Sequence, residues 1–100
     1  MNPANELQLR ITQSAKQEIQ RLQESLPLGP DQYLRIGIKG GGCSGISYLL
    51  AFDQKTEQDK LITIQDIQII VNPAHTLYLI GMEIDYENTE LNQGFLFINP

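Results

Sequence analysis

The apolar positions of the chain change their spacing along its length, and each spacing predicts one kind of element. From Leu7 to Ile11 apolar and polar residues alternate, which is typical of a short strand with one buried face. Over 12–25 the apolar residues recur at helical spacing, which predicts an amphipathic helix capped by Thr12. The segment 26–30 carries two prolines and a glycine, and it should end that helix.

The remaining apolar runs indicate strands more often than helices. They lie at 33–38, 46–52, 61–64, 67–71, 82–86 and 94–98. Gln65 and Asp66 should form a tight hairpin turn between two of them. Asn72 and Pro73 favour the start of a short second helix that should end at Gly81. The run 46–52 is apolar on both faces, which predicts either a central strand or a strand at an interface.

This order of elements predicts the fold class. Many short mixed strands with two helices indicate a small β-rich α+β domain, in which the strands form a sandwich or a partial barrel and the helices cover one side. The chain has 100 residues, of which 41% are hydrophobic. Such a chain can bury one modest core, so we expect residues 1–100 to form a single domain.

The formal net charge of −5 excludes two classes of partner. Sequence-independent nucleic-acid binding and binding to anionic membranes both need a basic surface, so neither is expected. Apolar runs as long as a membrane span are absent from the sequence, and the first residues do not resemble a secretory signal. A single cysteine cannot form an intrachain disulfide, so the expected location is the reducing cytoplasm.

The stretch from Lys39 to Gly45, Lys-Gly-Gly-Gly-Cys-Ser-Gly, concentrates the chemistry of the chain. It contains four of the eight glycines and the only cysteine, Cys43, between two predicted strands. We expect the loop from Gly40 to Gly45 to join two neighbouring antiparallel strands and to project from the domain. A phosphate cradle is disfavoured because the P-loop pattern is absent and a strand, not a helix, follows. Two interpretations stay open from these residues alone: a flexible hairpin with a free cysteine, and a loop for metal or thiol chemistry.

The same stretch resembles the first cysteine motif of the A-type iron–sulfur carriers, the HesB/IscA/SufA-like family. Four later segments follow the order of that family: 69–73, 77–81, 83–86 and 94–100. The resemblance extends roughly from Leu7 to Pro100. It implies the β-rich fold of a HesB-like domain.

The resemblance also implies a function. Such a protein is not an enzyme: it takes up a [2Fe–2S] or [4Fe–4S] cluster, or iron, from a scaffold protein and delivers it to client apo-proteins. Cys43 would be the metal ligand. The rest of the loop would let the backbone approach the cluster closely, through Gly40, Gly41, Gly42, Ser44 and Gly45. The cofactor would be shared between the subunits of a homodimer or homotetramer.

The chain as given departs from the family at one point. A-type carriers have a Cys-Gly-Cys motif shortly after the last Asn-Pro, and this sequence stops at Pro100. Two explanations stay open: the natural protein lacks this tail, or the tail follows Pro100 outside the given sequence. A genuine lack of the tail would favour an alternative function, that of a degenerate member without a cluster, acting as an interaction module or thiol-bearing adaptor. A redox-sensing thiol is a third interpretation, and it is ranked last because Lys39 is the only basic residue near Cys43 in the sequence.

Other residues with chemical potential favour structural roles. His75 is the only histidine, and a surface or capping role is expected rather than metal ligation. Glu83, Asp85 and Glu87 would share one face of a strand, where a hard-cation surface is possible but a solvated face is the preferred interpretation. Five aromatic side chains are expected to pack in the core or at a subunit interface: Tyr48, Tyr78, Tyr86, Phe95 and Phe97.

Overall fold

The computed structural model describes residues 7–40, 46–91 and 93–98. These residues form seven strands and two helices, with a 3₁₀ turn, Pro73–His75, before the second helix. In chain order the elements are β1 (Arg10–Ile11), α1 (Gln13–Ser25), β2 (Gln32–Gly40), β3 (Ile46–Gln54), β4 (Lys60–Ile64), β5 (Ile67–Val71), α2 (Thr76–Leu79), β6 (Glu83–Asn88) and β7 (Gln93–Ile98). The predicted α+β class is confirmed.

The strands form two separate sheets. One has four strands in the order β3-β2-β5-β4, and the other has three in the order β1-β6-β7. Two pairs are parallel, β2 with β5 and β1 with β6, and the other pairs are antiparallel. The predicted β-rich arrangement is confirmed: the described strands form two sheets and not a closed barrel.

The core lies between the inner faces of the two sheets and beneath α1. Its members are almost all aliphatic, and Ile19, Leu34, Ile36, Ile69, Leu79 and Ile84 are completely buried. Burial of such side chains is the main favourable term in folding. Partly buried aromatic residues from β3, β6 and β7 continue this core toward one side of the sandwich.

Helix α1 begins where the sequence predicts. The hydroxyl oxygen of Thr12 accepts a hydrogen bond from the N–H of Ala15 at 3.2 Å, which is a typical N-cap, and the hydroxyl donates to the Asp85 carboxylate at 2.6 Å. Ala15 and Ile19 are buried against the core, as the helical spacing predicts. The cap therefore also attaches the start of α1 to β6.

The hairpin between β4 and β5 is also confirmed. Gln65 and Asp66 have φ angles of 51° and 70°. Two successive positive φ angles define the type I′ turn, whose twist matches that of the flanking strands. The side chain of Gln65 accepts a hydrogen bond from the N–H of Ile11 at 3.1 Å, so this turn contacts the other sheet.

The first predicted strand is shorter than expected. Leu7, Leu9 and Ile11 are buried, as the alternation predicts, but only Arg10–Ile11 forms a strand. Gln8 lies between them with a φ of 56°, a left-handed conformation that an extended strand does not contain. The short predicted helix after Asn72 likewise divides into the 3₁₀ turn and one turn of α-helix.

Of the two positions predicted for β3, a central strand or a strand at an interface, the central one is wrong. β3 lies at the edge of the four-stranded sheet. Its inner face, with Tyr48, Leu50 and Phe52, packs against the core. Its outer face carries the half-buried Leu49 and the exposed Ala51. The interface alternative for this strand is compatible with the edge position.

An ion-pair cluster closes the end of the β2–β3 hairpin opposite the glycine loop. The Arg35 guanidinium donates to both carboxylate oxygens of Asp59, at 2.7 and 2.6 Å, and to Asp53 at 2.7 Å. Asp59 also accepts from the N–H and the hydroxyl of Thr56. The side chain of Asp59 is only 2% exposed, whereas that of Asp53 is 55% exposed. The Arg35–Asp59 pair is therefore the shielded part of the cluster.

The same contacts set the charge state of Asp59. Hydrogen bonding to Arg35 holds the pKa of the Asp59 carboxyl well below its usual range, and this exceeds the raising effect of burial. A lowered pKa means that the folded state stabilises the ionised carboxylate. The contribution is complete above the pKa of the unfolded chain, about 3.9, and is lost as the pH falls toward the folded value.

We predict that Asp59→Asn lowers the free energy of unfolding by about 3 kcal/mol at pH 7, because it leaves a largely buried guanidinium without its bidentate partner. Asp53→Asn is the matched control and should cost less than about 1 kcal/mol, since that carboxylate is exposed. Urea titrations of the three proteins between pH 7 and pH 3 measure both effects. The gap between wild type and Asp59→Asn should narrow below about pH 4; a gap that is constant with pH would contradict the assignment.

Candidate functional site

The glycine loop is framed by the longest strand pair of the fold. β2 and β3 pair antiparallel through nine residue pairs, from Gln32↔Gln54 to Gly40↔Ile46. The prediction that the loop joins two neighbouring antiparallel strands is therefore confirmed. Residues 41–45, with Cys43, lie outside the described residues, and so does the prediction that the loop projects from the domain.

Gly40 marks the point where the backbone leaves the strand. Its φ is 84°, in the region that glycine adopts readily and other residues rarely do. Gly40 is still paired with Ile46, so the left-handed residue is the last one of the ladder. A residue with a Cβ would be strained at this φ angle, and this explains why glycine occupies position 40.

An aromatic contact brings the second sheet to the same end of the sandwich. The rings of Tyr48 and Phe97 are stacked, with centroids 4.9 Å apart and an interplanar angle of 11°. Tyr48 follows the glycine loop on β3, and Phe97 lies one residue before the end of β7. The beginning of β3 and the end of β7 are therefore neighbours, although 49 positions separate these two residues in the sequence.

Other predicted aromatic contacts are mostly confirmed as core packing. Tyr86 and Phe95 form an edge-to-face pair with centroids 4.9 Å apart. Both are partly buried against the core. Tyr78 differs, because it is 46% exposed on α2. For Tyr78 the interface alternative is the one compatible with the structure.

The only histidine contacts the strand that leads into the glycine loop. His75 Nδ1 accepts a hydrogen bond from the backbone N–H of Ile38 at 3.3 Å. The ring lies over Gly37, where an added Cβ would be 2.8 Å from Nδ1. His75 is half-buried, so the expected surface or capping role is wrong: the side chain accepts a hydrogen bond from a strand of the four-stranded sheet.

The predicted carboxylate face of β6 is occupied by protein contacts. Asp85 accepts from the Thr12 hydroxyl and from the N–H of Tyr86 at 2.8 Å, and Glu83 lies 3.8 Å from Arg10. The side chains of Glu83, Asp85 and Glu87 are all half-buried. Among the described residues, groups of three or more His, Cys, Asp or Glu side chains placed to hold a metal ion are absent. The part of the chain that the structure describes therefore does not support the interpretation of this face as a hard-cation surface.

A comparison with models of protein families identifies the family of this chain. The model of the iron-sulphur cluster biosynthesis family matches residues 7–100. The chain belongs to this family. The resemblance to A-type carriers drawn from the glycine loop and the later motifs is confirmed, and it extends over the same residues as predicted.

Relatives of known name support the same family. The chain is 36% identical over 95 residues to the iron-binding protein IscA of Xenorhabdus nematophila, and the match covers 94% of this chain and 87% of that protein. The crystal structure of Escherichia coli SufA, a protein involved in biosynthesis of iron–sulfur clusters, superposes with a TM-score of 0.74 at 29% identity. That match covers 92% of this chain and 80% of SufA.

A second similar structure contains an iron–sulfur cluster. The crystal structure of IscA with a [2Fe–2S] cluster has a TM-score of 0.69 at 28% identity, covering 92% of this chain and 82% of that one. The two-sheet fold is thus the fold of this family. Among the described residues, a helix long and apolar enough to cross a membrane is absent.

Sequence reasoning missed two contacts of the β2–β3 hairpin, one at each end. The Arg35–Asp59 pair joins a strand residue to a loop residue 24 positions later, and only the charge inside an apolar strand hinted at it. The contact of His75 with Ile38 spans 37 positions. Its one signal is Gly37, a glycine inside a strand, which often marks a close approach by another group.

We predict that Gly37→Ala lowers the free energy of unfolding by about 1–3 kcal/mol, because the new methyl group would lie 2.8 Å from His75 Nδ1 and must displace the ring. Gly29→Ala is the matched control, since its nearest atom would be 3.5 Å away at an ordinary contact distance. Chemical denaturation of both variants measures the difference. His75→Ala in the Gly37→Ala background should recover part of the loss, and strictly additive effects would contradict a direct clash.

Proposed function

We propose that this protein binds an iron–sulfur cluster or iron through Cys43 and delivers it to apo-proteins. The observation that carries the proposal is the family match over residues 7–100 together with a single thiol in a glycine-rich loop. Thiolates are the usual ligands of iron–sulfur clusters, and they are soft ligands suited to them. IscA, which shares the fold, has been solved with a [2Fe–2S] cluster.

The loop sequence is suited to holding a cargo that must leave again. Gly40, Gly41 and Gly42 precede Cys43, and Ser44 and Gly45 follow it. These neighbours add little side-chain bulk, so a cluster and a client protein can both approach the thiolate. The framing strands, in contrast, are fixed to each other by nine residue pairs and by the Arg35 cluster.

The number of ligands requires more than one chain or an external thiol. A [2Fe–2S] or [4Fe–4S] cluster is usually held by four cysteine thiolates. The sequence has one cysteine and one histidine, and the Nδ1 atom of that histidine is engaged with Ile38. We therefore propose that the cluster is shared between the subunits of a homodimer or homotetramer, with external thiols completing the set where needed.

The side of the sandwich with β3 and β7 favours such an assembly. Both strands lie at an outer edge of their sheets among the described strands, and the Tyr48–Phe97 stack places these edges side by side. Ile98 on β7 is 41% exposed. Long edge strands with apolar side chains are stabilised by being covered, and a second subunit would cover this side near the glycine loop.

The protein would work as a carrier and not as an enzyme. Its partners would be an iron–sulfur scaffold protein and client apo-proteins, and its location the cytoplasm. The alternative function is that of a family member that holds no cluster and acts as an interaction module or as an adaptor that carries the thiol of Cys43.

We predict that Cys43→Ser abolishes the binding of iron and sulfide while leaving the thermal unfolding transition unchanged. Ser44→Ala, one position along, is the matched control and should retain the bound iron. Anaerobic reconstitution followed by absorption spectroscopy and by iron and sulfide analysis measures this. Equal iron content in wild type and Cys43→Ser would place the site elsewhere. Failure of the wild-type protein to bind iron at all would favour the adaptor.

We also predict that a monomer of residues 1–100 cannot hold a stable cluster on its own. Because one chain supplies one thiolate, native mass spectrometry should show the cluster only in dimers, in tetramers or with added low-molecular-weight thiols attached. Sedimentation at micromolar concentration should show the same assembled species. A monomer that carries a complete cluster without an external thiol would contradict the ligand count.

A further inference from the structure

The strand that leads into the glycine loop loses its neighbour before it ends. β5 pairs with β2 at Leu34↔Ile69 and Arg35↔Ile70. β5 ends at Val71, and the chain then turns away through the 3₁₀ turn, which begins with a proline that has no N–H to donate. β2 continues to Gly40. Its last residues therefore extend past the strand that supports them on this side.

His75 takes the place of the missing strand. The backbone N–H of Ile38, which a longer β5 would have to satisfy, donates to His75 Nδ1 at 3.3 Å. A backbone N–H in the sheet needs an acceptor, and here the acceptor is a side chain instead of a carbonyl group. The imidazole thus supplies the hydrogen-bond acceptor that a longer β5 would supply beside β2.

The two contacting segments are matched in shape. Gly37 is buried, and its missing Cβ leaves the space that the ring fills, with Nδ1 2.8 Å and Cε1 3.5 Å from where a Cβ would be. Any other residue at this position would push the imidazole away from Ile38. The contact of His75 with Ile38 therefore requires the glycine at position 37, although the two residues lie on different elements.

The turn that carries His75 is itself fixed by hydrogen bonds. The N–H of His75 donates to the Asn72 carbonyl at 2.8 Å, and the Asn72 side chain accepts from the N–H of Ala74 at 3.0 Å. The Thr76 hydroxyl donates to the Pro73 carbonyl at 3.0 Å. The ring is therefore presented to β2 from a short segment whose backbone is well defined.

We propose that His75 is a positioning residue for the glycine loop. Ile38 lies two residues before Gly40, whose φ of 84° ends the extended strand. Fixing the Ile38 amide fixes the backbone of β2 just before residues 41–45, and we expect this to slow the release of a cargo bound by Cys43. The effect on cargo rests on the proposed function, whereas the effect on the backbone does not.

The test compares two substitutions of similar size. In His75→Asn the side-chain oxygen is bonded to Cγ, as Nδ1 is, so the variant retains an acceptor for Ile38. His75→Leu has a branched side chain without any acceptor. We expect the amide of Ile38 to exchange with solvent about five- to tenfold faster in His75→Leu than in wild type, and at nearly the wild-type rate in His75→Asn. The amide of Leu34 is the internal control for global unfolding.

The second measurement follows the cargo. Iron release from reconstituted protein to a chelator should be several-fold faster in His75→Leu than in wild type, and His75→Asn should restore the slow rate. Both readouts use the full chain, and thermal unfolding checks that each variant is folded. If His75→Leu does not fold, His75→Ala replaces it in both measurements.

Each outcome decides one part of the proposal. Unchanged exchange of Ile38 in the variant without an acceptor would overturn the backbone role. Faster exchange with an unchanged release rate would make His75 structural only, and overturn its role for the site. If wild type and Cys43→Ser both take up no iron, the proposed function fails and the cargo role of His75 fails with it, while the exchange result still decides the backbone role.

Discussion

The register between β2 and β3 is the constraint on which the rest of the structure depends. Nine consecutive pairs place Gly40 opposite Ile46, so the glycine-rich segment connects two paired strands. The same register turns Leu34 and Ile36 toward the core and Arg35 and Gly37 toward the other face. Because side chains alternate, a shift by one residue would bury the arginine and expose the isoleucines. Both the ion-pair cluster and the histidine contact require this one alignment.

The two ends of this hairpin are stabilised by different physical means. At the open end, Arg35 joins two carboxylates and a backbone carbonyl, so the strands and the following loop are tied by charge. At the loop end, three features among the described residues stabilise the hairpin. They are the His75 imidazole, Gly37, which leaves space for that ring, and the stacked rings of Tyr48 and Phe97. Ion pairs thus stabilise the hairpin at the end opposite the glycine loop, and a side-chain hydrogen bond and ring packing stabilise it at the other end.

The sequence predicts the features of this fold that short segments determine on their own. Three such features are the Thr12 cap, the turn at Gln65 and Asp66, and the helical turn that starts at Asn72. Each depends on residues within a few positions, so the local sequence predicts it. The edge position of β3 and the parallel pairing of β1 with β6 depend on which distant strand arrives beside them, and composition does not encode that directly. For the site, the cysteine and the glycines were visible in the sequence because their chemistry is unusual. The contact that His75 makes was not, since a histidine signals nothing about a partner 37 residues away.

The pairing of β1 with β6 has a consequence for how the protein is made. Arg10 lies beside Glu83, and Ile11 beside Ile84, so the three-stranded sheet closes a loop of more than 70 residues. Closing so long a loop costs conformational entropy before any contact compensates it, and high contact order slows folding. During synthesis, β1 and the helix that follows it must wait until residue 84 has left the ribosome. Until then the apolar faces of Leu9, Ile11 and Ile19 lack their final cover, and they are natural binding sites for chaperones.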